Sequence, residues 1–231
     1  MSEREVIGMS TKAVKWSSLL LIISGVLLAL PVLFHPDMSK PGYALLGAWG
    51  PVHVLLGIST IAGLAGLIVF YGAMSPKITV FGHVAFWFAI VGTALLASLM
   101  FFVEIAIVPV LAGSPAYEPL LSETGPLMTG AFGVLILITA VIVALGYILF
   151  GGYLIRAKIT SPVNGILFII GAPLISFSPP LPYVVMIIGG VLLGIALIWL
   201  GVSIRTGRAH DTLEATLRIH DECLAQAGGR A

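Results

Sequence analysis

A single carboxylate interrupts one of the longest apolar stretches of the chain. Glu104 lies in the sequence "MFFVEIAIVPV" at residues 100–110, and it is the one acidic side chain within the six apolar segments described below. An ionisable group inside a membrane is costly, and it usually marks a site with a role. Glu104 is therefore the first candidate for chemistry.

His53 is the predicted partner of Glu104. Proline disfavours helical geometry at the residue before it, so Pro109 predicts a helix that ends near Ile107, about one turn beyond the carboxylate. Proline is favoured in the first turn of a helix, so Pro51 puts His53 in the first turn of a segment that runs the opposite way. His53 and Glu104 are thus expected at the same depth.

Three further residues are expected near this pair. His35 and Asp37, in "FHPDM", follow the first apolar segment, and Met100 lies one turn deeper than Glu104. A histidine with a carboxylate could bind a divalent metal, relay a proton or orient a polar ligand head group. The sequence leaves these alternatives open, with His53 and Glu104 as the metal candidates and with no catalytic residue or cofactor identified.

A purely structural interpretation competes with the functional one. A glutamate one turn from a helix end can reach interfacial water, as snorkelling side chains do. A haem held by two histidines is not expected, because His53 and His83 fall at opposite faces of the membrane and axial ligands must lie at matching depth. His220 and Cys223 alone are too few for a closed zinc site.

The composition is that of an integral membrane protein. Of the 231 residues, 59% are hydrophobic and 9% are charged, against about 25% charged in soluble domains. The formal net charge of +1 gives no basic footprint for nucleic acid. The single cysteine, Cys223, excludes an internal disulfide and a multi-cysteine metal site.

Six segments approach the roughly 20 apolar residues that span a bilayer, and proline or glycine marks each break. They run about 14–34, 51–72, 80–108, 127–154, 162–178 and 181–203. The fold class predicted from them is all-α: a bundle of six transmembrane helices within residues 1–203. The fifth segment is short and contains Pro173.

The basic residues predict the orientation. If both chain ends are cytoplasmic and the six helices alternate, ten of the 11 Lys and Arg residues fall on the cytoplasmic side and Lys40 alone falls outside. Cytoplasmic loops are enriched in Lys and Arg, so the split favours the cell membrane, with six spans and both termini inside. Residues 204–231 then form a cytoplasmic tail, with an amphipathic helix near 211–225.

The chain resembles an uncharacterised group of small bacterial six-helix integral membrane proteins. The resemblance rests on "HPD" after the first segment, "WGPVH" opening the second, "FFVEIAIVP" ending the third and "YLIRAKITSPVNGILFIIGA" between the fourth and fifth. It implies the same six-helix topology, and it implies no activity.

The sequence favours a non-enzymatic function. Ionisable groups within the spans are few, which predicts a small-molecule-binding protein or an accessory subunit with an outer-facing polar site. A small-solute or proton-coupled transporter is the alternative, although transporters usually place polar groups and broken helices near the midplane. A metal- or cofactor-dependent membrane enzyme comes third. The expected partners are the lipid bilayer and other membrane subunits or a second copy of the chain.

Overall fold

Apolar helices dominate the chain. The computed structural model describes residues 3–40, 42–74, 78–122, 125–177 and 181–206, and these residues form helices and turns without a strand. Five helices are long and apolar enough to cross a membrane: Lys12–Phe34, Trp49–Met74, Val80–Ala112, Ala131–Arg156 and Tyr183–Arg205. The chain therefore has the helices of a multi-pass membrane protein, and the all-α prediction is confirmed for the described residues.

Eight α-helices follow one another along the described chain. They are α1 (Glu3–Ala29), α2 (Trp49–Met74), α3 (Val80–Leu99), α4 (Val108–Ala112), α5 (Pro126–Thr129), α6 (Ala131–Arg156), α7 (Pro162–Ser176) and α8 (Tyr183–Arg205). A π-helical segment, Met100–Ile107, joins α3 to α4 without a break. Short 3-10 turns, Pro31–Phe34, Tyr43–Leu45 and Glu118–Leu121, occupy the connections.

The helices differ from the predicted segments in three places. The third segment does not end near Ile107 but passes Pro109 and reaches Ala112. The fourth is divided at Gly130 into α5 and α6. The fifth forms α7, whose 15 residues cover about 22 Å at 1.5 Å per residue, less than the hydrocarbon thickness of about 30 Å. The predicted helix near 211–225 lies outside the described residues.

Six helices form a closed ring. Going around it, α1 packs against α2, α2 against α3, α3 against α6, α6 against α7, α7 against α8, and α8 against α1. Chain neighbours are spatial neighbours except where α3 meets α6 and where α8 returns to α1. The arrangement leaves an axis that all six helices can line.

Glycines allow the helices of the ring to approach closely. Gly25 of α1 faces Gly194 of α8, and a Cβ atom added to Gly25 would lie 2.4 Å from the Gly194 carbonyl oxygen. Gly92 on α3 faces the backbone of Val143 in the same manner, and Gly151 on α6 faces Gly165 on α7. Lipid removes the hydrophobic drive between helices, so close backbone packing at small residues holds them together.

The Gly25–Gly194 contact gives a test of this packing. Alanine is favoured over glycine in a helix by about 1 kcal/mol, so a glycine to alanine change should stabilise any helix position that has room. Gly25→Ala has no room, and overpacking costs about 1–3 kcal/mol. We expect Gly25→Ala to lower the thermal unfolding midpoint in detergent micelles.

Gly152→Ala on α6 is the matched control, because a Cβ atom there meets nothing within 4 Å. Its midpoint should be unchanged or raised. Equal behaviour of the two variants would show that the α1–α8 contact does not depend on a bare glycine.

Candidate functional site

The site is built on the π-helical segment that contains Glu104. Pro109 has no N–H, so it cannot donate to the carbonyl of Ile105 in an α-helix or to that of Glu104 in a π-helix. The Val108 N–H donates to the Val103 carbonyl, five residues back. The wider turn lets the helix continue past the proline, and it leaves the Glu104 carbonyl without a partner within the helix.

Trp49 supplies the missing donor. Its indole Nε1–H donates to the Glu104 carbonyl oxygen at 2.9 Å, and the Trp49 side chain is 2% exposed. Val103, Val108 and Ala112 pack around the same indole. The first residue of α2 is thereby fixed to the π-helical segment, and α2 carries His53 one turn further on.

His53 and His35 form the centre of the site. The His53 ring lies against the Trp49 ring, with centroids 3.9 Å apart. Its Nε2 atom lies 3.2 Å from Nε2 of His35. Both histidines are buried, with His53 2% exposed. The hydroxyl of Tyr183, at the start of α8, donates to the His35 carbonyl and fixes the turn after α1.

The hydrogen bonds determine which nitrogen of each ring carries the proton. His53 Nδ1 lies 2.9 Å from the Trp49 carbonyl oxygen, and His35 Nδ1 lies 2.8 Å from the Pro36 carbonyl oxygen. A carbonyl oxygen only accepts, so both Nδ1 atoms donate. A neutral imidazole has one N–H, so each Nε2 atom of a neutral pair presents a lone pair.

Burial keeps His35 neutral. His35 follows the first span directly, and burial lowers the pKa of its imidazole below the ordinary 6.5, an effect that the hydrogen bond to Pro36 only partly offsets. Removing the ring from water disfavours its charged form. The neutral form is therefore the relevant one at pH 7.

The structure brings three of the five predicted residues into contact. Glu104 Oε2 lies 3.9 Å from His53 Nε2, which is beyond hydrogen-bond length but shows that the two side chains face each other. His35 completes the group. Met100 is the fourth predicted residue. It makes no hydrogen bond to the imidazoles in the described part of the chain, and it lines the cavity beneath them.

Asp37 lies apart from this group. Its carboxylate accepts hydrogen bonds from the Ser39 hydroxyl and backbone N–H, and it lies 3.8 Å from Lys40 Nζ. The Ser39 side chain, followed by the Ser39 backbone, lowers the pKa of the Asp37 carboxyl. Asp37 stabilises its own turn and does not join the imidazoles.

Two cavities meet at Glu104. The vestibule, of about 900 Å³, lies among the connections that contain Asp37, Tyr43 and Glu118. The inner cavity, of about 230 Å³, lies on the axis of the ring, and residues of α1, α2, α3, α6, α7 and α8 line it. Both are lined by Met38, Val103, Glu104, Ile136 and Met186. His35 and His53 belong to the inner cavity alone.

The wall of the inner cavity is mostly apolar, and its other buried hydroxyls have partners with one exception. The hydroxyls of Ser24 and Ser59 pair with each other, and the Tyr147 hydroxyl meets Thr93 Oγ1 at 2.9 Å. The exception is Thr139, which is 2% exposed and whose Oγ1 has no hydrogen-bond partner among the residues that the structure describes. A buried polar atom in that state costs free energy unless something binds it.

The nitrogen and oxygen atoms of the site are suited to hydrogen bonding, and they offer few ligands for a metal ion. Within the described ranges, no group of three or more His, Cys, Asp or Glu side chains is arranged to hold a metal ion. Comparison of the chain with protein-family models, curated proteins and solved structures finds no match. The chemistry of the site therefore has to be inferred from its own geometry.

Sequence reasoning does not include Trp49, Tyr183 or Thr139 among the site residues. Trp49 precedes His53 by four residues, a spacing that places both on one helix face, so "WGPVH" contains a usable signal. Tyr183 is 148 positions from His35, and Thr139 is one of many hydroxyls on apolar helices. No local pattern singles out these last two.

The indole hydrogen bond yields a prediction. Trp49→Phe keeps an aromatic ring beside His53 but leaves the Glu104 carbonyl unpaired, at a cost of about 1–3 kcal/mol for a buried polar group. The free energy of unfolding in detergent should fall by that amount. Trp199→Phe, at a tryptophan that is 38% exposed, is the matched control and should have little effect. A loss of stability of the same size in both variants would contradict the role given to the indole.

Proposed function

We propose that this chain is a non-enzymatic, small-molecule-binding protein of the cell membrane, acting alone or as an accessory subunit of a larger complex. Its ligand has a polar end that meets His35, His53 and Glu104 and an apolar body that occupies the inner cavity. The observation that carries the proposal is a mostly apolar cavity on the bundle axis with buried polar atoms facing into it. Small-molecule sites typically combine an apolar wall with a few convergent polar groups.

The size of the inner cavity supports a small ligand. A cavity of about 150 Å³ in another protein is enough to bind benzene, and the inner cavity measures about 230 Å³. An aromatic ring with a short alkyl chain would fit. The vestibule provides a path to it, since both cavities are lined by Glu104.

The proposal includes six spans with both ends on the cytoplasmic side. Thr160, before α7, lies 3.2 Å from Ser203 near the end of α8 through their hydroxyls. At the other end, a Cβ atom on Gly189 would lie 2.5 Å from the Ile175 backbone nitrogen. These two contacts support an antiparallel α7 that runs most of the length of α8 and so counts as a sixth, short span.

The distribution of charge supports the same orientation. Lys12 begins the membrane-spanning part of α1, and Arg156, Lys158 and Arg205 lie at or just beyond the ends of α6 and α8. Lys40 lies in the connection that carries His35. The cytoplasmic side attracts Lys and Arg. The vestibule would then face the outside of the cell.

The ligand can be sought in the purified protein. We expect one small amphipathic molecule to copurify with the wild-type chain and to appear in the mass spectrum of an organic extract. Ala140→Phe, which would fill the inner cavity from its α6 wall, should remove it. Ala131→Phe, at an exposed position of the same helix, should retain it.

Size-exclusion chromatography checks that the Ala140→Phe variant is folded, and Thr139→Val replaces it if it is not. If the same small molecule is extracted from both phenylalanine variants, the proposal is contradicted. If absorption spectra or elemental analysis show stoichiometric haem or metal, the enzyme interpretation replaces the binding proposal.

Cysteine labelling tests the topology. In a Cys223→Ser background, Glu118→Cys and Thr206→Cys are each probed in intact cells with a membrane-impermeable maleimide. Six spans with both ends cytoplasmic require position 118 to react from outside and position 206 to react only after permeabilisation. Five spans, with α7 not crossing, would put both positions on one side and contradict the six-span topology.

A further inference from the structure

We propose that the ligand of the inner cavity is a neutral hydrogen-bond donor of the phenol or alcohol class, whose hydroxyl proton is accepted by Nε2 of His53 or His35. The inference rests on the proposed function, and it names the chemical class of the ligand. It follows from the lack, among the described residues, of an N–H or O–H group that donates to these two Nε2 atoms.

The two imidazoles present acceptors to each other. Both Nδ1–H groups donate to backbone carbonyls, so the two Nε2 atoms, 3.2 Å apart, face one another with lone pairs and without a proton between them. Adjacent lone pairs repel, and each is a buried acceptor without a donor. A hydroxyl that inserts its proton here satisfies at least one of them.

The nearby donors of the protein are already used. The Trp49 indole donates to the Glu104 carbonyl, and the Tyr183 hydroxyl donates to the His35 carbonyl. Deeper in the cavity, Thr93 Oγ1 donates to the Ala89 carbonyl, so Tyr147 must donate to Thr93. In the described part of the chain, no hydroxyl or N–H remains within hydrogen-bond distance of the facing Nε2 atoms.

Glu104 strengthens the preference for a donor. Its carboxyl group lines the inner cavity on the same side as His53, and when that group is ionised it offers acceptors only. A ligand whose polar end is an ether or a ketone would bring a further acceptor to a group of three. Such a ligand would lose the hydrogen bonds of its polar end to water and gain none from the two imidazoles or the carboxylate.

The apolar wall argues for a neutral donor over a cation. Leu56, Leu96, Val143 and Leu193 are among the cavity-lining residues, and burying an ammonium group in such surroundings is far more costly than burying a hydroxyl. Thr139 Oγ1, which lacks a partner, adds a second point at which a hydroxyl or ring substituent can be held.

A pair of probes separates the donor from the apolar body. 4-Butylphenol and 4-butylanisole share a ring and chain, and the methyl ether lacks the O–H. Isothermal titration calorimetry of the detergent-solubilised full chain at pH 8 should show the phenol binding at least tenfold more tightly. His53→Phe should reduce phenol affinity to the level of the ether and leave ether affinity unchanged.

The matched control is His83→Phe. His83 pairs with the Tyr71 hydroxyl and lies outside both cavities, so the phenol preference should survive that change. If His53→Phe fails to fold, His53→Asn takes its place, and its loss of the phenol preference is read in the same way.

The outcomes distinguish this inference from the proposed function. Equal affinity of the two probes, with both lost in Ala140→Phe, would overturn the donor preference and leave the binding function standing. Tighter binding of 4-butylbenzylamine than of the phenol would overturn the choice of a neutral donor. Absence of saturable binding by all three probes would overturn both proposals.

Discussion

The site depends on one peptide carbonyl that its own helix cannot pair. Pro109 offers no N–H to Glu104, and the π-helical turn gives the Val108 N–H to Val103. The indole N–H of Trp49, on the neighbouring helix α2, donates to the Glu104 carbonyl that is left without a partner. Because Trp49 opens α2 and its own carbonyl accepts from His53 Nδ1, this bond orients the imidazole as well as the glutamate. An irregular helix thus becomes the support of the site, as is common for π-bulges.

The ring of helices explains why the site has a cavity beneath it. Glycines bring α1 to α8, α3 to α6 and α6 to α7 at backbone distance, so these three interfaces are tightly packed. Six helices around one axis cannot all touch at the centre, and the aromatic side chains fill only part of it. Phe86, Phe150 and Phe168 pack the end away from His35, whereas shorter side chains and hydroxyls line the part under the imidazoles.

The sequence predicts the level of a residue along the helix bundle better than it predicts which other side chains that residue contacts. Apolar length and proline positions identify the five long helices, and they predict the common level of His53 and Glu104, which face each other at 3.9 Å. The continuation past Pro109 is not predictable from proline geometry alone, because the π turn that permits it depends on the indole of another helix. The contact of Tyr183 with His35 joins α8 to the turn after α1, and no periodicity within either segment carries that information. The tautomers follow only from the distances between the ring nitrogens and the backbone carbonyl oxygens.

The arrangement of protons on the two imidazoles is the basis of the proposed binding site, because it leaves both facing Nε2 atoms as acceptors. If one ring turned its N–H toward the other, a hydrogen bond between the rings would form, but that ring would lose its bond to a backbone carbonyl. Here both N–H groups point away, to carbonyls of their own chain segments, and the lone pairs meet. Thr139, deeper in the same cavity, also lacks a partner. Buried acceptors left open at the top of an apolar cavity are unfavourable for the empty protein, and the donor-bearing ligand proposed above would satisfy them.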